Sequence, residues 1–238
     1  MALIRDEAAF LQALKGGFFK QIFARKGVGG SPPLYTKADY LRQAGWPEGL
    51  RQGLARVPDS FFTGFTMHPE QAPWLVQQLQ SQRWGSVLEF GSGLSTILMA
   101  LACPAPTKIY SLEHEAAWHK VTAQALKVLG LASRVKLIVA PLRKFKRGPE
   151  TFQVHELKAL KQARVKADFL LIDSPPGVIG RGGVLPAVGG YLKPGCLVVL
   201  DDAERVAERE WVRRWTKEGR AELLGYVPLG RGAAVLRA

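Results

Sequence analysis

The residues able to do chemistry gather at the ends of short apolar runs. Val87-Leu-Glu89-Phe-Gly91-Ser92-Gly93-Leu-Ser95-Thr96 places a carboxylate two residues before a glycine pair and hydroxyls just after it. Glycines at a strand-to-helix turn let the backbone come close to a ligand, and the helix N-terminus that follows favours a negative group. About 20 residues further on, Ser111-Leu-Glu113-His114 puts another acid at the end of a run, where it can accept hydrogen bonds from ribose hydroxyls. Leu171-Ile-Asp173-Ser-Pro-Pro-Gly177 and Val199-Leu-Asp201-Asp202 also end in acids. Packing alone does not explain carboxylates at so many run ends. In an open α/β sheet these ends are where ligands bind, at the point where strand order reverses.

The glycine turn fits G-x-G-x-x-G at Gly91 and Gly93 only, because Thr96 stands where a dinucleotide fold needs a small residue for helix–strand packing. A dinucleotide also gives no reason for the acid ahead of the first glycine. S-adenosylmethionine accounts for both features. Its amino and sulfonium cations favour Glu89, and its carboxylate suits the donors of the turn around Ser92 and the hydroxyls of Ser95 and Thr96. The competing reading is that Glu89 caps a turn that the glycines merely permit.

The elements that must position these residues follow from periodicity. From Ser86 onward, apolar runs at Val87–Phe90, Ile109–Leu112, Val135–Val139, Phe169–Ile172 and Leu197–Leu200 alternate with helical stretches near 94–103, 115–130, 151–165, 183–192 and 203–218. Such alternation means crossover units and a parallel sheet covered on both faces. Glu222–Leu229 and Ala233–Arg237, parted by Gly230-Arg-Gly232, predict a terminal antiparallel hairpin. The fold class expected is α/β, with five parallel strands plus that hairpin. Before this domain, which the pattern assigns to residues 67–238, lies a helical extension over 1–66. It carries an amphipathic stretch over 5–25 (Phe10, Leu11, Leu14, Phe18, Phe19, Ile22, Phe23), a break at Gly27–Pro33 and a helix near 37–54, while a further helix near 69–82 opens the following domain. The extension is expected to cap the site or to form a dimer surface.

Together, Val87-Leu-Glu-Phe-Gly-Ser-Gly, Ser111-Leu-Glu-His, Leu171-Ile-Asp-Ser-Pro-Pro-Gly and Leu192-Lys-Pro-Gly-Cys-Leu-Val-Val-Leu-Asp-Asp resemble the class I S-adenosylmethionine-dependent methyltransferases, in family order over residues 67–238. The resemblance implies cofactor contacts at Glu89, Gly91, Gly93, Glu113 and Asp173, with the adenine near His114 and Ala140-Pro141. That last dipeptide departs from the acidic or polar residue the family often has at this strand end. Asp173-Ser-Pro-Pro176 is similar to the Asp-Pro-Pro-Tyr motif of enzymes methylating base amines, but Gly177 stands where the stacking aromatic would be. The pattern is closer to metal-dependent O-methyltransferases of the catechol and macrocin type. There Asp173, Asp201 and Asp202 would hold a cation such as Mg²⁺ that lowers the pKa of an acceptor hydroxyl. Two departures stand out: Pro176 where those enzymes have a lysine, and a glycine turn two residues shorter. Without a metal, Asp201 and Asp202 would cap the following helix, and Asp173 would be a base or a neighbour of the sulfonium.

The acceptor side is read from the glycine- and proline-rich loop 175–190. Its Arg181, with Arg205 beyond the aspartate pair, either clamps an acidic acceptor or lies on the surface. The net charge of +13, with pI ≈ 10.0, implies an acidic partner. A small anionic acceptor is the expectation. RNA held by Arg143-Lys-Phe-Lys-Arg147 is the alternative, and a non-catalytic nucleic-acid-binding protein on the same fold is a third reading. The basic stretch Phe18–Lys26 suits a membrane surface. Apolar residues make up 47% and charged residues 22%, with no run approaching the ~20 apolar residues of a membrane span and no signal peptide, so stable insertion is not expected and a cytoplasmic location is. Cys103 and Cys196 suggest neither a disulfide framework nor a zinc site.

Overall fold

In the computed structural model, residues 2–14, 35–62 and 66–238 are described. Phe18–Lys26, the break at Gly27–Pro33 and the rest of the amphipathic stretch beyond residue 14 lie outside them.

The strands are β1 (Ser86–Phe90), β2 (Lys108–Glu113), β3 (Val135–Val139), β4 (Leu142–Arg147), β5 (Glu150–His155), β6 (Ala167–Ile172), β7 (Leu192–Asp201), β8 (Glu222–Val227) and β9 (Ala233–Arg237). One sheet has the order β3-β2-β1-β6-β7-β9-β8. β3, β2, β1, β6 and β7 pair in parallel, while β9 pairs antiparallel with both β7 and β8. Five parallel strands closed by an antiparallel hairpin is the expected architecture. Strand order reverses between β1 and β6, so Glu89, Glu113 and Asp173 stand at neighbouring strand ends.

Successive residues of the central strands feed opposite cores, as side-chain alternation requires. Val87, Phe169, Leu171 and Val199 join α1 (Lys37–Leu41), α2 (Glu48–Ala55), α3 (Gln71–Gln80), α4 (Leu94–Ala102) and α5 (Ala116–Val128) on one face. Leu88, Phe90, Leu170 and Leu200 join α6 (Lys158–Gln162), α7 (Val184–Val188), α8 (Val206–Lys217) and the helical residues 7–14 on the other. The segment 35–62 thus shares a core with the sheet: Tyr40, Leu54 and Phe61 are buried there, and the Phe61 ring stacks on Trp118. Residues 2–14 bind the hairpin instead, through an Ile4–Tyr226 bridge and stacking of Phe10 on Tyr226. Two expected elements differ. The helix over 37–54 is broken into α1 and α2 around Gly45, which has φ +86, and Pro47.

The helix expected over 151–165 is replaced by β5 and the short α6, because β4 and β5 form a separate two-stranded sheet. Gly148-Pro149 turns it, and Phe145, paired with Phe152, faces inward between basic residues that face solvent. The hairpin straps across the molecule. Arg147 Nη1 lies 2.8 Å from Glu218, and Glu150 pairs bidentately with Arg214, both partners being at the C-terminal end of α8. Phe152 packs edge-on against Trp211, with ring centroids 5.5 Å apart.

Candidate active site

Glu89 is fully buried at the end of β1. Ser95 Oγ donates to Oε1, and Thr96 Oγ1 and Ser111 Oγ donate to Oε2, each of these two at 2.6 Å. Both hydroxyls predicted to meet a ligand carboxylate are therefore spent on Glu89, which bolts the first turn of α4 to β1 and β2. That is a correction to the role expected of the two hydroxyls; the backbone donors expected beside them are not engaged by Glu89. The correction arises because a buried carboxylate must find donors within the protein. Burial, against those three hydroxyls, still pushes Glu89 up to about 7.

Gly91 has φ +95, and a side chain there would bring Cβ to 3.0 Å from Ser174 Cβ. This turn carries Ser92 to Glu113, whose Oε2 accepts from Ser92 N at 2.9 Å and Ser92 Oγ at 3.0 Å. Glu113 Oε1 accepts from Glu115 N at 2.9 Å and lies 3.1 Å from His114 Nδ1. Burial works to raise Glu113, but the donors from His114, Glu115 and Ser92 together bring it below its ordinary value. His114 is raised by the same contact. Glu113 is thus an ionised acceptor beside the glycine turn, across the reversal point from Asp173.

Beside it lies His155 at the end of β5, missed in the sequence. It is fully buried, its Nε2 is 3.2 Å from Ser174 Oγ, and its ring stands edge-on to His114 with centroids 5.5 Å apart. The period-two alternation Thr151–His155 was the available signal. Burial, with the charge of His114 next, pushes His155 down to about 3. The unfolded chain takes up this proton near pH 6.5 and the folded chain only near pH 3, so stability must fall as pH drops through that window. Urea midpoints should show wild type losing ~2 kcal/mol more than His155→Phe between pH 7 and 5. Parallel losses would show that the imidazole is not held neutral.

Asp173, Asp201 and Asp202 do converge: one oxygen from each lies within 4.8 Å of the others. Arg181 lies among them, only 3% exposed. Its Nη2 donates to Asp173 Oδ1 and to Asp202 Oδ2, both at 2.9 Å. Its Nη1 donates to Asp201 O and its Nε to Pro175 O. Arg181 is therefore neither a surface residue nor free to clamp an acceptor, which corrects both readings. The loop is drawn inward because Gly182 lies against the Trp211 ring and Gly183 against Phe152, with Trp215 Nε1 donating to Gly182 O at 3.1 Å. Arg231 Nε, in the hairpin turn, lies 2.7 Å from Asp202 Oδ1, and Arg205 Nη1 lies 2.9 Å from Asp202 Oδ2. Arg231 was missed, since a cation between turn glycines carries no sequence sign of burial.

Three guanidinium groups thus face three carboxylates. Burial, with Asp201 next, raises Asp173 well above its ordinary value; burial, with Asp202 next, raises Asp201. Burial also works to raise Asp202, but Arg181, Arg231 and Arg205 hold it low. A hard divalent cation fits this set poorly, because the acids are already neutralised and a guanidinium bridges two of the would-be ligands. The capping role expected of the pair is absent too: Arg205 is the N-cap of α8, and no side chain caps it. Asp202 instead turns the chain at φ +59. Asp173, with 22% of its side chain exposed, is the acid of the three that meets the cleft. Arg205 is 37% exposed at the lip.

Residues 88–203 match the family model described as a methyltransferase domain. Among curated proteins, none matches. Solved structures do. SAH-bound methyltransferase PaMTH1 of Podospora anserina aligns with TM-score 0.59 at 16% identity, over 88% of this chain and 99% of that one. An O-methyltransferase of Bacillus cereus in complex with SAH aligns with TM-score 0.57 at 15% identity, over 94% and 99%. The O-methyltransferase TomG of Streptomyces achromogenes, in complex with SAM and involved in tomaymycin synthesis, aligns with TM-score 0.54 at 18% identity, over 81% and 90%.

Proposed function

We propose that the chain, whose residues 88–203 match a family model described as a methyltransferase domain, uses S-adenosylmethionine to methylate a hydroxyl of a small, anionic acceptor. The observation that carries the cofactor half is Glu113, an ionised acid held beside the Gly91–Gly93 turn at the reversal point of the sheet. In this reading Glu113 accepts the ribose hydroxyls in exchange for Ser92 Oγ. Gly91 and Gly93 admit the methionyl portion, His114 and His155 border the adenine, and Glu89 keeps the turn in place from behind. Bound there, S-adenosylmethionine would supply a methyl group on cationic sulfur, whose transfer to the acceptor oxygen would leave S-adenosylhomocysteine. Asp173, 22% exposed, faces the cleft and takes the hydroxyl proton. Alignment of the reactants supplies most of the rate.

Hydroxyl transfer is supported by the kinship of fold with two proteins named as O-methyltransferases. The anionic acceptor is supported by the net charge of +13. Mg²⁺ is left out of this mechanism because the aspartates are neutralised by arginines. RNA is disfavoured, since Arg143 and Arg147 of the basic cluster pair with Glu156 and Glu218.

Titrating the protein calorimetrically with S-adenosylhomocysteine should show saturable binding. Glu113→Ala should weaken it by roughly 1–3 kcal/mol, the scale of a buried charged hydrogen bond. Absent binding by wild type, or equal binding by Glu113→Ala, would sink the site assignment.

A further inference from the structure

We propose that Arg181 is the resident cation of this site: its guanidinium takes the place in which Asp173, Asp201 and Asp202 would otherwise collect a divalent metal, and it fixes Asp173 for the reaction. The inference rests on the methyltransferase reading for what Asp173 does, but not for where the charge lies.

Geometry carries it. A metal bound by these acids would sit about 2.0–2.6 Å from one oxygen of each, and those oxygens lie within 4.8 Å of one another. Arg181 Nη2 is already 2.9 Å from Asp173 Oδ1 and 2.9 Å from Asp202 Oδ2. The same nitrogen donates to Asp173 O at 2.6 Å. Both group and ion cannot be held there: a guanidinium does not shed its proton, and a divalent cation at hydrogen-bond distance from it meets strong repulsion in a buried setting.

Nor can Arg181 swing aside. Its Nε and Nη1 donate to the carbonyls of Pro175 and Asp201. The following glycines are wedged so closely that a Cβ on Gly182 would stand 2.2 Å from the Trp211 ring and one on Gly183 2.4 Å from Phe152 Cβ. Arg231 at Asp202 Oδ1 and Arg205 at its Oδ2 complete the neutralisation. Holding Asp173 by its carbonyl and by Oδ1 leaves Oδ2 as the oxygen for the cleft, which makes Arg181 a positioning residue.

The test is Mn²⁺ binding, followed by electron paramagnetic resonance on the full chain, with S-adenosylhomocysteine affinity measured on the same samples. Wild type should hold no stoichiometric Mn²⁺ at micromolar concentrations. Arg181→Ala, which uncovers the three carboxylates, should gain a site at least tenfold tighter than any in wild type, lost again in Arg181→Ala/Asp202→Asn. Stoichiometric micromolar Mn²⁺ on wild type, displaced by Mg²⁺ and abolished by Asp202→Asn, would overturn the proposal. So would a folded Arg181→Ala that gains nothing. Should that variant fail to fold, the wild-type titration decides alone. Failure of wild type to bind S-adenosylhomocysteine would count against the functional reading and leave the metal result intact.

Discussion

Arg181→Ala should cost the fold roughly 3–5 kcal/mol, the range for breaking a buried ion pair by removing one partner. For a chain of this length that corresponds to a fall of roughly 6–20 °C in melting temperature. The loss is large because the residue does several things at once. Its guanidinium neutralises Asp173 and Asp202, and its Nε and Nη1 donate to the carbonyls of Pro175 and Asp201. Alanine leaves two carboxylates close together with one fewer counter-charge. Thermal unfolding by circular dichroism measures it. Adding Asp202→Asn should return part of the loss, since the stranded charge is then gone. A loss under ~1 kcal/mol, the scale of an exposed pair, would mean that the guanidinium is solvated and the cluster open.

Gly91→Val should reduce affinity for S-adenosylhomocysteine at least ~100-fold, about 2.8 kcal/mol. At φ +95 a β-branched side chain is disfavoured, and its Cβ meets Ser174. The chain can relieve both only by swinging the turn, which lifts Ser92 N from Glu113 and moves the ribose acceptor and the approach to the methionyl group together. Gly130→Ala is the control. Gly130 also has positive φ, +72, but a Cβ there meets nothing and lies far from the site. It should lose stability without losing affinity. Equal affinity losses in both variants would assign the effect to global destabilisation.

What could be read from the residues alone followed from how each kind of information is written. The acids Glu89, Glu113, Asp173, Asp201 and Asp202 were legible because a parallel sheet sends its runs in one direction, so residues at run ends must meet at one edge. The terminal hairpin was legible from its glycines. β4 and β5 were not: Arg143-Lys-Phe-Lys-Arg147 looks like a solvated charge run, and Val154, Leu157 and Leu160 fall at helical spacing across what is in fact a strand, a turn and a short helix. The burial of Arg181 was not legible because polarity predicts exposure only while no partner is known, and its partners lie at and just beyond the ends of β6 and β7. Ser95 and Thr96 sit where expected, but no spacing reveals that their hydroxyls turn back to Glu89.

The placement of β9 between β7 and β8 also governs the order in which the molecule can be built. As the chain is synthesised, β7 remains an open edge until Ala233–Arg237 exist, and β8, though made earlier, has no partner to join before then. The earliest segment waits as well, because Ile4 pairs with Tyr226 and Phe10 stacks on the same residue. Contacts this distant in sequence slow folding, since a long loop must close before they contribute. A nascent chain stalled ahead of Ala233 would present a long apolar strand edge, the kind that recruits other chains, and its first residues would meet Tyr226 only on a strand not yet joined to the sheet.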